Sequence, residues 1–217
     1  MKLVIGNKNY STWSLRPWLL MATYGVEFDE VNISLQEPDL TDRLKVHSDS
    51  AKVPVLVDGD ITVWDSLAIC EYINEEYLSG IGWPSDKHDR ALAKSISAEM
   101  HSSFAALRSE MPMNIRASRV VEASEQCLAD VERIDQIWSK YARENSNGDL
   151  RLLGEFGISD CMFAPVVMRF ATYKPELSDT ATSYMESMLS SSSLKQWIDA
   201  ALLETEIVDV DEAGVDR

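Results

Sequence analysis

Residues 52–73 read KVPVLVDGDITVWDSLAICEYI, and this stretch determines the architecture of the first third of the chain. Two apolar runs, Val53–Val57 and Ile61–Val63, flank the acidic turn Asp58-Gly59-Asp60, which is typical of a β-hairpin. The pair Asp65-Ser66 then precedes apolar residues at helical spacing, so an amphipathic helix with a capped start is predicted. The segment therefore predicts two antiparallel strands followed directly by a helix.

The residues before this hairpin predict two further strands, each followed by a helix. Lys2–Gly6 is a short apolar run typical of a strand, and Ser14 is predicted to cap a helix that begins at Leu15 and stops at Gly25. A second strand is predicted around Phe28, Val31 and Ile33, and a weak helix over Leu40–Val46. The order βαβαββα closes a small sheet with helices on its faces, so residues 1–79 are expected to form an α/β domain.

The remainder of the chain has helical periodicity. Residues 80–89 are rich in Gly, Pro and Ser and are interpreted as a linker to an all-α domain over 90–217. Apolar stripes predict one helix from Leu92 to Met111 and another between Val120 and Tyr141. Residues 158–170 are apolar nearly all round, which indicates a central buried helix, and the acidic end of the chain, 205–217, is expected to be loosely held.

Composition excludes several classes of function. The chain has 217 residues and a formal net charge of −16, so it offers no basic surface to nucleic acid or anionic lipid. The histidines have no metal-ligand spacing, no apolar run reaches membrane-spanning length, and the N-terminus does not resemble a signal peptide. The three cysteines form no C-x-x-C pair, which fits a reducing compartment. We expect a cytoplasmic protein with no metal site and no nucleic-acid or membrane partner.

Three local features could carry chemistry, and each has a plain structural alternative. The hydroxyl-rich loop Tyr10–Ser14 joins the first strand to a helix N-terminus that favours an anion, but it could be simply a capped turn. The Val53-Pro54 bond could be cis, which turns the Val53 backbone outward to pair with an extended peptide, or it could be an ordinary trans bond at the start of a strand. Asp65-Ser66 could hold the α-amino acid end of a ligand or act only as a helix cap. The residues alone leave these alternatives open.

The order of these features is more specific than any one of them. YSTWSLRPW at 10–18, KVPVL at 52–56 and WDSLAICEYI at 64–73 resemble three N-terminal segments of the glutathione transferase family. AEMHSSFAALRSEMPMNIR at 98–116 and GEFGISDCMFAP at 154–165 resemble helices of its bacterial members. The resemblance covers nearly the whole chain and is strongest to serine-type, zeta-like bacterial members. It implies a thioredoxin-like glutathione-binding domain, an all-helical second domain and a two-fold homodimer.

The resemblance also implies a reaction and a set of site residues. Glutathione is the expected co-substrate, and its thiol is expected to attack a small electrophile, by conjugation or by glutathione-dependent isomerisation, in a detoxifying role. Ser11 is the predicted donor to the thiolate, with Ser14 as the second choice. The remaining predicted residues fall into two groups: Lys52, Val53, Pro54, Asp65 and Ser66 for glutathione, and Trp13, Met100, His101, Phe104 and Arg108 for the electrophile pocket.

Departures from the family pattern support a second hypothesis. Ser48-Asp49 replaces an Asn-Pro, Ala51 replaces a glycine, and Trp13 stands where zeta-like members carry a cysteine. The alternative function is therefore a non-catalytic relative of the transferases that binds other proteins. A thiol-disulfide oxidoreductase is disfavoured because the first loop carries no cysteine. The sequence identifies neither the electrophile nor which of conjugation, isomerisation and peroxidase activity dominates.

Overall fold

The computed structural model describes residues 1–217, and its first part is built on one four-stranded mixed sheet. The strands are β1 Lys2–Ile5, β2 Asp29–Asn32, β3 Val55–Asp58 and β4 Ile61–Trp64. Their order in the sheet is β2-β1-β3-β4, with β1 parallel to β2 and the other two pairs antiparallel. The predicted hairpin is confirmed, and its register pairs Asp58 with Ile61 across the turn that contains Gly59.

Three helices complete this thioredoxin-like unit: α1 Thr12–Tyr24, α2 Leu40–Lys45 and α3 Ser66–Glu76. The predicted order βαβαββα is therefore confirmed. Gly25 ends α1 with a φ of 67°, the left-handed conformation that glycine adopts without steric cost. The prediction that Ser14 caps α1 was wrong, because the helix begins earlier, at Thr12. Ser14 lies in the first turn, and its Oγ accepts a hydrogen bond from the Gly6 backbone N–H at 3.1 Å.

Helices dominate the rest of the chain, and none of them has both the length and the apolar character needed to cross a membrane. As predicted, helix α7 (Ile158–Tyr173) is buried on nearly every side, because a helix that is apolar nearly all round packs at the centre of a helical layer. It packs against both α1 and α4, so one continuous core joins the two parts of the chain. The helices are α4 Lys87–Ser102, α5 Ala105–Glu110, α6 Glu125–Tyr141, α7 Ile158–Tyr173, α8 Asp179–Ser190 and α9 Ser192–Leu202.

Two details of the helical part differ from the prediction. The single helix expected from Leu92 to Met111 is divided between α4 and α5, because Phe104 has a φ of 64° and interrupts the right-handed path. The second part is also not entirely helical, since two short antiparallel strand pairs are present. These pairs are β5 Arg119–Val120 with β8 Val215–Asp216, and β6 Ala142–Glu144 with β7 Leu150–Leu152.

The acidic end of the chain is held by specific contacts, which corrects the expectation that it is loose. The Glu212 carboxylate accepts a hydrogen bond from the Tyr10 hydroxyl at 2.6 Å and pairs with Arg119 at 2.7 Å. Just before this segment, Glu204 accepts hydrogen bonds from the backbone N–H groups of Lys8 and Asn9 at 2.7 and 3.0 Å. Carboxylates of the chain's end therefore fix the loop that leads into α1.

Candidate functional site

A cleft of about 520 Å³ opens between the start of α1, the segment before β3 and the start of α3. It is lined by eight residues: Trp13, Ser50, Lys52, Val53, Pro54, Trp64, Asp65 and Ser66. All five residues predicted to bind glutathione are in this group, together with Trp13 from the predicted electrophile pocket. A cavity of about 560 Å³ lies elsewhere, between the linker and the β6–β7 pair, and contains none of the predicted residues. The cleft is therefore the candidate site.

The start of α3 supplies one end of the cleft. Asp65 Oδ1 accepts hydrogen bonds from the backbone N–H groups of Leu67 and Ala68 at 2.9 and 3.3 Å, so Asp65 is the helix cap. Its backbone has φ 75° and ψ 132°, a region that residues other than glycine rarely occupy and that costs about 1–3 kcal/mol. The second carboxylate oxygen contacts His101 Nε2 at 3.1 Å. The N-terminus of α3 therefore faces the cleft, where its helix dipole would stabilise a bound anionic group.

The segment before β3 forms a second wall of the cleft. The Val53-Pro54 peptide bond is cis, which resolves the alternative left open by the sequence. The Val53 backbone N–H and C=O take part in no hydrogen bond within the chain. These groups are available to an extended peptide lying in the cleft, as in strand addition.

The two candidate serines lie beside each other behind this cleft. The Ser11 hydroxyl donates to Ser14 Oγ at 2.7 Å, and Ser14 Oγ also accepts from the Gly6 N–H. Ser11 is only 5% exposed, and neither serine is among the residues that line the cleft. The structure therefore brings the two candidate thiolate donors, Ser11 and Ser14, next to each other, but the Ser11 hydroxyl is not part of the cleft wall.

Trp13 is the centre of a cationic and aromatic cluster at the edge of the cleft. Its ring lies 4.2 Å from the Arg16 guanidinium carbon and 4.9 Å from that of Arg108. The His101 ring meets it edge-on at 5.4 Å. Three of the five predicted electrophile-pocket residues are thus in contact, whereas Met100 and Phe104 are buried in the main core beneath them.

Arg16 is not among the site residues predicted from the sequence, where it could be structural or face a partner carboxylate. It is fully buried under the cleft, and burial lowers the pKa of its guanidinium to about 9, which still leaves it charged at neutral pH. The available signal was an arginine between Leu15 and Pro17, in the middle of an otherwise apolar helix. In the structure no carboxylate lies within ion-pair distance of Arg16, and the sequence alone does not reveal this.

Ala51, one of the departures from the family pattern, has a measurable consequence. Its φ is 48°, in the left-handed region, where a side chain costs about 1–2 kcal/mol relative to glycine. Because glycine also has more freedom to lose on folding, Ala51→Gly is expected to stabilise the protein by only about 0.5–1 kcal/mol. Urea unfolding of both proteins measures this difference. Ala98→Gly, inside α4, is the matched control and is expected to destabilise by about 1 kcal/mol; a loss of stability in both variants contradicts the prediction.

Comparison with known proteins points to one family. Residues 10–76 match the model of the glutathione S-transferase N-terminal domain. Glutathione S-transferase Z2 of Arabidopsis thaliana is 32% identical over 90 residues, which cover 39% of this chain and 40% of that protein. The matched region thus spans less than half of this curated relative.

Solved structures of low identity share the fold over almost the whole chain. A glutathione transferase homologue from Burkholderia, solved with bound glutathione, superposes with a TM-score of 0.70 at 20% identity and covers 92% of this chain and 97% of that one. The holo structure of maleyl pyruvate isomerase, a bacterial zeta-class glutathione S-transferase, superposes with a TM-score of 0.70 at 18% identity, covering 95% and 100%. The protein therefore has the glutathione transferase fold, and its first domain matches the N-terminal domain of the glutathione S-transferases.

Proposed function

We propose that the protein is a glutathione transferase, which binds glutathione in the cleft and uses its thiol to attack a small electrophile. One observation carries the proposal: the free Val53 backbone and the capped start of α3 line the same cleft. A γ-glutamyl tripeptide needs both, a backbone partner for its central residue and polar groups for its α-amino acid end. The proposal includes a homodimer, as the resemblance implies, and a cytoplasmic location, as the sequence pattern predicts.

The α3 end of the cleft is proposed to hold the γ-glutamyl group. The helix N-terminus and the Ser66 hydroxyl suit the α-carboxylate, while the Asp65 carboxylate suits the α-ammonium. Asp65 is already engaged by His101 at 3.1 Å, so the ligand's ammonium joins or replaces that contact. Lys52, which also lines the cleft, is proposed to contact the terminal glycine carboxylate.

Ser11 is proposed to stabilise the thiolate. Lowering the pKa of a free thiol from about 8.5 to about 6.5 needs roughly 2.7 kcal/mol of differential stabilisation. A charge-assisted hydrogen bond supplies about 1.5–3 kcal/mol, and the N-terminus of α1 adds about 0.3–1 kcal/mol. No general base is required.

The bond between the two serines suggests how the Ser11 proton becomes available. A serine hydroxyl rotates freely, so either serine can donate the 2.7 Å hydrogen bond between Ser11 and Ser14. When a thiolate binds, Ser14 is proposed to donate to Ser11, and Ser11 to donate to sulfur. The Gly6 N–H already donates to Ser14 Oγ, which completes a chain of three bonds that all point toward the negative charge.

Calorimetric titration with glutathione tests the proposal. Binding with a dissociation constant of about 1 mM or tighter, corresponding to at least ~4 kcal/mol, is expected. The isomeric peptide Glu-Cys-Gly with an ordinary α-linkage is the matched control and is expected to bind more weakly, because its charged end is displaced from α3. Equal binding of the two peptides contradicts the proposed site.

The second candidate, a protein-binding relative without catalysis, is favoured by the changed loop before the cis proline. Ala51 is strained in a place where the family carries glycine, and Ser48 and Ser50 hold the loop through a hydroxyl contact of 3.1 Å. This candidate predicts no heat of binding at millimolar glutathione in the same titration.

A further inference from the structure

Arg16 is a buried charge without a partner of opposite charge. Its side chain is 0% exposed, and its Nε and Nη2 atoms are buried without any hydrogen bond. The one polar contact is from Nη1 to Ser66 Oγ, at 3.4 Å. Other buried arginines are better satisfied: Arg151 pairs with Asp149 at 3.5 Å and donates to Ser187 at 2.7 Å. A buried guanidinium left in this state is costly unless something else compensates it.

The position of this charge relates it to the cleft. Arg16 stacks under the Trp13 ring at 4.2 Å and reaches Ser66 on its other side. Both neighbours line the cleft, whereas Arg16 itself does not. The guanidinium therefore lies one side-chain layer below the surface on which a ligand would rest.

We propose that Arg16 is a positioning residue whose buried positive charge is compensated by the α-carboxylate of bound glutathione through the Ser66 hydroxyl. The inference rests on the proposed function, because it requires glutathione to occupy the cleft with its γ-glutamyl end at α3. It adds a positive charge near the α-carboxylate, which none of the cleft-lining residues at the start of α3 carries.

The direction of the hydrogen bonds explains why Ser66 relays this effect. A guanidinium has only donors, so the Ser66 oxygen must accept from Arg16. The Ser66 proton is then directed away from Arg16, and the carboxylate in the cleft is its natural acceptor. Arg16 thus orients the hydroxyl and also strengthens its bond to an anion, since the whole arrangement lies away from bulk water.

A purely structural role for Arg16 predicts a different outcome for stability. If Arg16 only supports the fold, Arg16→Met removes a needed contact and lowers stability. If its charge is kept for the ligand, replacing it by an apolar side chain of similar length removes an uncompensated charge, so the free protein is expected to be as stable or more stable. Ligand affinity and stability then change in opposite directions.

The experiment measures glutathione binding by calorimetry and unfolding by urea for the full chain and three variants. Arg16→Met is expected to weaken binding by about tenfold or more, equal to ~1.4 kcal/mol, without loss of stability. The matched control is Arg151→Met, which removes a buried arginine far from the cleft and is expected to lose stability but keep its affinity. Arg16→Lys keeps the charge and is expected to recover part of the affinity.

A second ligand isolates the carboxylate. In 4-aminobutyryl-cysteinyl-glycine, hydrogen replaces the α-carboxylate of glutathione, and Arg16→Met is expected to bind it as well as the unchanged protein does. The inference is overturned if Arg16→Met binds glutathione normally, or if it weakens both ligands equally. Should Arg16→Met not fold, a loss of affinity in Arg16→Lys that is equal for both ligands overturns it as well. If the unchanged protein binds no glutathione, the proposed function fails first, and the inference fails with it.

Discussion

Asp160→Ala is expected to destabilise the protein by about 4 kcal/mol, near the upper limit for a single substitution. The Asp160 carboxylate is fully buried at the start of α7 and accepts three hydrogen bonds. The donors are the backbone N–H groups of Leu152 at 2.9 Å and Gly157 at 3.0 Å, and the Tyr184 hydroxyl at 3.1 Å. Alanine leaves all three buried donors unpaired, each at about 1–3 kcal/mol. Urea unfolding measures the loss, and the melting temperature is expected to fall by roughly 10 °C.

Asp160→Asn is the matched control for this prediction. The amide keeps the shape of the carboxylate and one acceptor, but its NH₂ group cannot accept from a second backbone donor, so a loss of about 2 kcal/mol is expected. A loss in Asp160→Ala no larger than in Asp160→Asn contradicts the prediction, because the shared hydrogen bonds then do not hold the helix start.

The same carboxylate gives stability a defined pH dependence. Burial raises the pKa of Asp160 from its ordinary 3.8 to about 6, so the folded protein binds its proton more tightly than the unfolded chain does. The part of the stability that comes from proton binding at Asp160 is therefore fully present below about pH 4 and is lost as the pH rises through about 6. Relative to Asp160→Asn, the protein is expected to lose roughly 2–3 kcal/mol between these limits, at ~1.4 kcal/mol for each pKa unit. If the unchanged protein instead gains stability relative to Asp160→Asn as the pH rises, the predicted direction is wrong.

Ser11→Ala is expected to raise the thiol pKa of bound glutathione by about 1–2 units, because it removes a charge-assisted hydrogen bond of about 1.5–3 kcal/mol. From a bound thiol pKa of about 6.5, the thiolate fraction at pH 7, and with it kcat for a conjugation reaction, then falls by about three- to twenty-five-fold. The ultraviolet absorbance of the bound thiolate, titrated with pH, measures the change directly. Glutathione affinity at low pH, where the thiol is neutral in both proteins, is expected to remain the same.

Two further serine variants separate the role of Ser11 from a general change in the loop. Ser14→Ala breaks the chain of hydrogen bonds one step earlier, so a smaller rise in the thiol pKa is expected, together with a loss of about 1–2 kcal/mol in stability from the unpaired Gly6 N–H. Ser102→Ala, on the exposed side of α4, is expected to change neither quantity. An unchanged thiol pKa in Ser11→Ala overturns the role proposed for this residue.

Much of the site could be predicted because its parts are continuous in sequence. Val53-Pro54 and Asp65-Ser66 belong to one hairpin-helix segment of about twenty residues, so local pattern and turn chemistry bring them near one cleft. The capped helix start at Asp65 was predicted, whereas the role of Ser14 in its helix start was not. Helix boundaries depend on which nearby donors need an acceptor, and Ser14 meets the Gly6 N–H rather than the end of its own helix.

The amino-acid sequence by itself determined the order of strands and helices, the hairpin turn at Gly59 and the central buried helix α7, since hydrophobic period and turn residues are local properties. Only the tertiary structure decided that Arg16 lies unpaired beneath Trp13 and Ser66, and that Glu204 and Glu212 hold the first loop. Apart from the contact between Arg16 and Trp13, which are neighbours on one helix, these contacts join residues 50 to 202 positions apart. Packing rather than periodicity brings such residues together.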